Sequence, residues 1–516
     1  MARWPRPEIK APIALGDWGL LVYVDSEERI QAGDQEGGLM TQDLTLSIKN
    51  GVPITADEQA ARNFPVLRDH WISTLLVFVV CLVFYLANGR HIGSGDCVPA
   101  TYLPIALARG DGPWLDRFRP FLESPSGQLP GYCELSRGHI VSRYPIGPGL
   151  ILAPVVIPQV LIWDKLQPGW DQTPESFQLT ARRMAKLASA TLAAIGVAMI
   201  WKWLRPKFGT SAASLATVSA AFGSDLWSVA SQAAWQHGPA VFCLMASILI
   251  LESNKRSRTR AALAGSFTAM IVACRPVDLP IAIAVWLYVL HQDSSTHRWF
   301  AITASVVALM WSGWNLYFFD HMTGGYSEIE KMHGWAHGVK GSWSTPLTTG
   351  IAGSLFSPSH GLLIYCPWVL LSGFGLWSIW KHRQTDHLLM PRMLTLCLLP
   401  TLIMLSKYSC WWGGHCFGPR FWIDTTPILA MLAAAAWQWA ESLNFRSRSG
   451  LRCLFLVALV WSAGLQSVAV RSYPTSWHSS PTNADKDHKR LWDWHDNEVT
   501  RGLHEGSHRP QWSGWF

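Results

Sequence analysis

Twelve stretches of this sequence are apolar and nearly free of charge, near residues 71–88, 147–163, 186–203, 211–229, 236–252, 261–274, 277–291, 299–319, 355–380, 391–407, 421–440 and 451–470. A helix rising 1.5 Å per residue needs roughly 18 to 22 such residues to cross about 30 Å of hydrocarbon. The apolar residues come as blocks rather than at amphipathic spacing, so they fit lipid better than one face of a soluble core. Backbone polar groups in lipid must be satisfied within the protein, and blocks this long do so as helices. The expected fold is therefore all-α, a polytopic transmembrane helical bundle.

Charge sets the expected orientation. Lys and Arg exceed Asp and Glu by 42 to 35, which in a soluble chain would raise nucleic acid as a partner. Here most of the cations lie in short loops, and no nucleic acid is expected. From the third block on, the loops KWLRPKF, NKRSRTR, HQDSSTHR, KHRQTDHLLMPR and NFRSRSGLR alternate with less basic ones. The positive-inside rule assigns the basic set to the cytoplasm. Twelve crossings from a cytoplasmic N-terminus would return the tail to the cytoplasm, against this pattern. The block 147–163 carries Pro148, Pro154 and Pro158. Reading it as re-entrant or interfacial leaves about eleven crossings; the alternative is twelve, with one loop breaking the charge rule.

Three regions follow. Residues 1–70, mixed in charge and without an early apolar core, read as a loosely ordered cytoplasmic segment rather than a secretory signal. Residues 71–470 form the membrane domain, including an outer loop over 89–146, and residues 471–516 form an outward tail. With 320–350, these outer segments put most extramembrane sequence on one side. The ten cysteines lie mostly in apolar blocks. Cys97 with Cys133, and Cys410 with Cys416, lie in outer loops where bridged and free states are both open. Neither pair has zinc spacing with His, so no metal is expected, and no motif calls for a cofactor. Internal repeats, common in secondary transporters, are not visible.

Several segments hold candidate chemistry. In HIGSGDCVPATYLPIALARGDGPW, Asp96 stands close to the end of the first block. It is either the cap of a following helix or a carboxylate able to take a proton from an acceptor hydroxyl. Arg143 and Tyr144, in SRYPIGPG, suit a phosphate at headgroup depth or simple interfacial anchoring. Arg275 and Asp278, between two blocks, either pair with each other or serve a site, and His237 is a weaker candidate of the same kind. The segment SKYSCWWGGHCFGPRFWIDTTP brings together Trp411, Trp412, His415, Arg420 and Asp424. Its indoles offer faces for a sugar ring and Arg420 a fork for phosphate; an aromatic belt with a snorkelling Arg accounts for the same letters. SLFSPSHGLLIYCPW reads as a broken helix at Ser357, Pro358 and His360, which must be buried or line a cavity.

Residues 71–163, with Asp96 and SRYPIGPG, resemble the opening of the GT-C membrane glycosyltransferases, such as the protein O-mannosyltransferases and the lipid A aminoarabinose transferase, and the order GD..P..YLP, S.YPIG, SLFSPS.GLL and WWGG..FGPRF resembles a bacterial branch of them over roughly residues 71–500. The resemblance implies an inverting glycosyltransferase of the cytoplasmic (inner) membrane, active on its outer face, with a polyprenyl-phosphate sugar as donor and an envelope glycan, lipid or protein as acceptor. It implies Asp96 as the catalytic acid or base. Arg143, Arg275 and Arg420 would hold the lipid phosphate, with Tyr144, His237, Trp411, Trp412 and His415 lining the substrate site. Asp96 lacks the adjacent second acid of many O-mannosyltransferases, and SRYPIGPG lacks their HPP signature. A flippase of lipid-linked sugars and a non-catalytic assembly subunit of the same fold are the competing readings.

Overall fold

A computed structural model describes residues 56–253, 257–329, 331, 341–381, 386–506 and 508. Residues from Asn63 onward form one compact unit. The expectation for residues 1–55 lies outside the described residues. The expected first block opens within a longer helix, α1 (Ala56–Leu86).

After α1 the chain forms α2 (Cys97–Ala108), a short α3 (Arg119–Leu122) and a hairpin of β1 (Cys133–Ser136) and β2 (His139–Ser142), with Cys133 opposite Ser142. Next come α4 (Gly147–Leu166), α5 (Pro174–Phe222), α6 (His237–Leu251), α7 (Arg258–Cys274), α8 (Leu279–Val289) and α9 (Ser294–Phe319). The last third holds α10 (Leu347–Phe356), α11 (Leu362–Tyr365), α12 (Ser372–Lys381), α13 (Leu389–Thr395), α14 (Leu398–Lys407), α15 (Thr426–Trp439), α16 (Phe445–Arg471) and α17 (Glu498–Glu505). The all-α expectation is met, with β1 and β2 as the one small sheet among the described residues.

Among the described residues, five helical stretches are both long and apolar enough to cross a bilayer: α4, α5, α9, residues 389–407 spanning α13 and α14, and α16. Shorter apolar helices, including α2, α6 and α10, accompany them. The block expected to be re-entrant or interfacial is among the five: α4 is one helix of 20 residues that accommodates Pro154 and Pro158 internally. Blocks 186–203 and 211–229 form two helical segments, the two halves of α5. They run together in α5 across a kink at Gly209 (φ 79°), and helix α5 ends at Phe222 before a π-helical turn, Leu226–Ala230.

Helix starts follow short polar side chains. Asp293 accepts from the Thr296 amide at 2.8 Å at the start of α9, and Asn444 from Ser447 at 3.0 Å at the start of α16, each satisfying a donor the helix leaves open. The interior joins large buried side chains such as Trp203, Phe177 and Trp368 with runs of small residues that let helices approach closely. Ala181, Ala185, Ala188, Ala193 and Ala194 of α5 are buried, and α12 meets α15 so closely that a Cβ on Gly375 would lie 1.8 Å from the Leu432 carbonyl oxygen. Such close approach gains dispersion and suits helices that associate within lipid. Outward faces stay apolar: Ile302, Val306, Leu309 and Met310 on α9, and Leu454, Val457, Val460 and Trp461 on α16, are exposed. Water penalises these ribs and acyl chains solvate them, so the molecule is a multi-pass membrane protein by construction.

The break anticipated at Ser357, Pro358 and His360 is present between α10 and α11, with all three buried in protein as lipid-depth irregular backbone requires. Ser357 Oγ donates to the Leu491 carbonyl at 2.6 Å, tying the break to the tail. The tail packs Trp477, Ala484 and Leu491 against Cys410, Trp411 and Trp412. The loop after α1, the segment after α9, the loop before α15 and the tail therefore gather at one end of the bundle, where they share a cavity. The cysteines of both loop pairs, Cys97 and Cys133, Cys410 and Cys416, are free thiols.

Candidate functional site

The cavity has a volume of about 570 Å³, within the range of small-ligand sites. Asp96 stands on its wall. By position Asp96 is the N-cap of α2, yet its side chain makes no capping hydrogen bond, so the capping explanation for this residue does not hold. Its Oδ1 accepts from the Ser94 hydroxyl at 2.8 Å, and its Oδ2 lies 3.1 Å from Arg420 Nη1. Burial by itself would push this carboxyl up; the Arg420 guanidinium and the Ser94 hydrogen bond outweigh it and hold Asp96 below the usual carboxylate range.

Arg420 reaches this position because the preceding loop turns back on itself. Gly413 and Gly414 have φ of 86° and 70°, a left-handed pair that side chains with a Cβ resist. The guanidinium then lies over the Trp235 ring at 4.6 Å and the Phe421 ring at 5.5 Å. Its Nε is buried beside Gly413 with no hydrogen-bond partner among the described residues.

A second cationic group borders the same cavity. Arg275, at the end of α7, donates to the Phe421 carbonyl at 3.3 Å and to the Asp424 carboxylate, and lies 3.6 Å from Asp278. His237 shares Asp424, with Nδ1 2.9 Å from Oδ2. The simple Arg275 and Asp278 pair is thus part of a buried four-residue cluster centred on Asp424.

The structure brings Asp96, Tyr144, His237, Arg275, His415 and Arg420 to one cavity. The other expected site residues lie off its wall. Arg143 turns its guanidinium to Glu134 (3.2 Å) and to the Gly131 carbonyl (3.1 Å) instead of to the cavity. Trp411 and Trp412 are buried beneath the tail, where their faces meet Trp492 and His488 rather than an open site. The physical reason is the tail itself: its apolar residues supply a protein surface where an interfacial belt was expected.

Several wall residues were not singled out from sequence. Trp235 and Gln236 enter just before α6, Tyr326 donates its hydroxyl to Gln236 Oε1 at 2.8 Å, and Tyr408 precedes the double tryptophan. Asp485 arrives from the tail and pairs with His415 Nε2 at 2.8 Å. Trp235 stands two residues before His237 and Tyr408 lies within SKYSCWWGGHCFGPRFWIDTTP, so both offered a signal by adjacency; Tyr326 and Asp485 offered none. The combined wall has carboxylates, guanidinium groups, imidazoles and phenols set among aromatic and aliphatic side chains, able to hold an amphiphile with one anionic end.

No model of a known protein family matches the chain, and no curated protein matches it. Among solved structures, it is similar to ArnT from Cupriavidus metallidurans bound to undecaprenyl phosphate, with a TM-score of 0.42 and 15% identity over 81% of this chain and 68% of that one. The apo state of the same protein gives 0.38 and 16% over the same shares.

Proposed function

We propose that the protein is a membrane glycosyltransferase that moves a sugar from a polyprenyl-phosphate donor to a hydroxyl acceptor, with inversion, on the outer face of the cytoplasmic membrane. The observation that carries this reading is the meeting of Asp96 and Arg420 on the wall of one cavity that also holds Arg275, His237 and Tyr144. Arg420, stacked on Trp235 at the cavity wall, suits the donor phosphate, whose charge rises as the sugar leaves. Arg275 adds a second positive group at the same wall. Tyr326, Tyr408 and Trp343 supply faces and hydroxyls suited to a sugar.

Of the two roles expected for Asp96, orienting the acceptor suits the geometry better than removing its proton. A carboxylate already bound to a guanidinium and a hydroxyl is a weakened base. The placement on the outer face rests on loop charge, since the segments that build the cavity belong to the less basic set.

The test is binding of undecaprenyl phosphate to the purified protein, together with release of that lipid from a sugar-linked donor. Arg420→Ala is expected to weaken lipid binding at least tenfold while the protein remains folded. Undiminished binding by this variant, or no consumption of any lipid-linked sugar by the unaltered protein, would overturn the reading.

A further inference from the structure

The cavity wall opposite in chain origin to Asp96 holds a second acid and base pair, built from the loop before α15 and from the tail. His415 Nε2 lies 2.8 Å from Asp485 Oδ2. The carboxylate is itself held: Trp412 Nε1 donates to Oδ1 at 3.0 Å, and the Asp485 amide donates to Asn483 Oδ1 at 2.8 Å. The imidazole stacks on the His478 ring, with centroids 4.8 Å apart and planes 10° from parallel. Both members line the cavity, and the His415 side chain keeps 45% of its surface exposed.

From this arrangement we infer that His415, oriented by Asp485, is the general base that takes the proton of the acceptor hydroxyl, a role that rests on the transferase reading above. With Nε2 engaged by the carboxylate, Nδ1 is the ring nitrogen left for substrate. A fixed carboxylate on one nitrogen sets the tautomer, aims the ring and stabilises the imidazolium that forms, the logic by which an acid makes a histidine an effective base. The other candidates are placed less well: the carboxylate that holds His237, Asp424, is already neutralised by Arg275, so it supports an imidazolium less. Asp96 serves Arg420 and Ser94, and His237 is buried with Nδ1 on Asp424.

In the step itself, the acceptor oxygen forms a bond to the anomeric carbon on the face opposite the donor phosphate. The bond from that carbon to the phosphate oxygen breaks, and its electron pair leaves with the lipid phosphate. The hydroxyl proton passes to His415 Nδ1 and later to water, restoring the neutral ring. Charge balances: the phosphodiester monoanion becomes a monoester dianion, and the imidazolium gains the matching positive charge.

The experiment uses the full-length protein in lipid nanodiscs, a radiolabelled polyprenyl-phosphate hexose as donor, membranes of the producing cell as acceptor source, and undecaprenyl phosphate as the binding probe. His415→Ala is expected to lower turnover by about a hundredfold or more, the usual share of a general base, with probe affinity unchanged. Added imidazole restores part of that turnover, and it does not restore Asp96→Asn. Asp485→Asn lowers turnover without response to imidazole, because the ring is present but misdirected.

Full turnover in His415→Ala overturns the assignment. So does a loss that imidazole leaves untouched, or one that comes with lost probe affinity, since either marks a structural role. His415→Gln, which keeps bulk and polarity, guards against misfolding and is expected to be as inactive as the alanine variant. Unaltered protein that consumes no lipid-linked sugar overturns the transferase reading, and with it this role, and is recognised before any variant is compared.

Discussion

Asp96 Oδ2 and Arg420 Nη1 lie 3.1 Å apart, joining the loop that follows the first helix to the loop that precedes α15. The pair is partly shielded, with side-chain exposures of 22% and 11%, so its attraction is screened less than a surface contact would be. It positions a cation and an anion on the same wall, and it ties an early loop of the bundle to a late one.

That tie is measurable. Asp96→Ala and Arg420→Ala, alone and together, form a double-mutant cycle, and the expected coupling is about 1–3 kcal/mol in favour of the pair. Thermal unfolding in detergent, with lipid absent, gives the value. Additive losses would show that the two side chains meet without stabilising each other. Asp96→Asn keeps an acceptor for the guanidinium and is expected to retain most of the stability while turnover falls at least tenfold.

The tail is held by a carboxyl that burial keeps protonated. Glu498 accepts from the Gly418 amide at 3.1 Å and lies 3.4 Å from His478 Nε2. Burial pushes Glu498 well above the usual carboxylate range, more than the Gly418 hydrogen bond pulls it back. A raised pKa in the folded state means its docking contribution is complete at acidic pH and fades as pH rises through that value. His478, pushed down to about 2 chiefly by burial, acts at the other limb and costs docking as pH falls below about 6.5. Hydrogen exchange over residues 472–506, corrected for its intrinsic base-catalysed rate, should therefore speed up as pH rises above about 6.5, where His478 no longer offsets Glu498. Glu498→Gln, which mimics the neutral carboxyl, is expected to flatten that rise. An equally steep rise in the variant would assign it to another group.

Trp477 anchors the same segment, fully buried with Nε1 donating to the Asp496 carbonyl at 2.9 Å. Trp477→Ala removes about 3–5 kcal/mol of packing, a loss that falls on tail docking more than on the bundle. Limited proteolysis should then cut after Arg471 while the membrane helices stay intact. Turnover should fall with it, since Asp485 leaves the cavity wall. Retained turnover with a cleaved tail would separate the tail from the chemistry.

Close helix packing gives a matched pair of substitutions within α12. A Cβ on Gly375 would collide with the Leu432 carbonyl, whereas one on Gly373 meets nothing within 4 Å. Gly375→Ala is expected to destabilise by about 1–3 kcal/mol and Gly373→Ala to be neutral or slightly stabilising. Equal thermal transitions for the two variants would show that the helices part readily at this contact.

The helices were legible because crossing lipid leaves a strong mark: a block without charge cannot easily be anything else. The proline-bearing block 147–163 was harder, since each interior proline removes one backbone hydrogen bond. In α4 two such losses are borne by a helix of 20 residues, and sequence does not tell that outcome from a re-entrant turn. Asp96, Arg420 and His415 stood out as charged or titratable groups among glycines and aromatics. Asp485 did not, because an aspartate in a polar tail is ordinary until folding carries it to His415. Arg143 and the two tryptophans failed the other way. Their chemistry suits a phosphate or a sugar, but Glu134 and the tail offered nearer partners that no local pattern announces.

Because Asp485 belongs to a segment made after every membrane helix from α1 to α16, the cavity wall is the last part of the protein to be finished. During synthesis, a bundle with Asp96 and Arg420 already paired can exist while His415 still lacks its carboxylate. Helix α16 already ends beside the loop after α1, where Arg90 Nη1 donates to the Arg471 carbonyl at 2.8 Å, so the segment beyond Arg471 has only to fold over the cavity. Lipid able to enter the early cavity would meet its cations before its acid and base pair, so the order of synthesis separates the capacity to bind from the capacity to react.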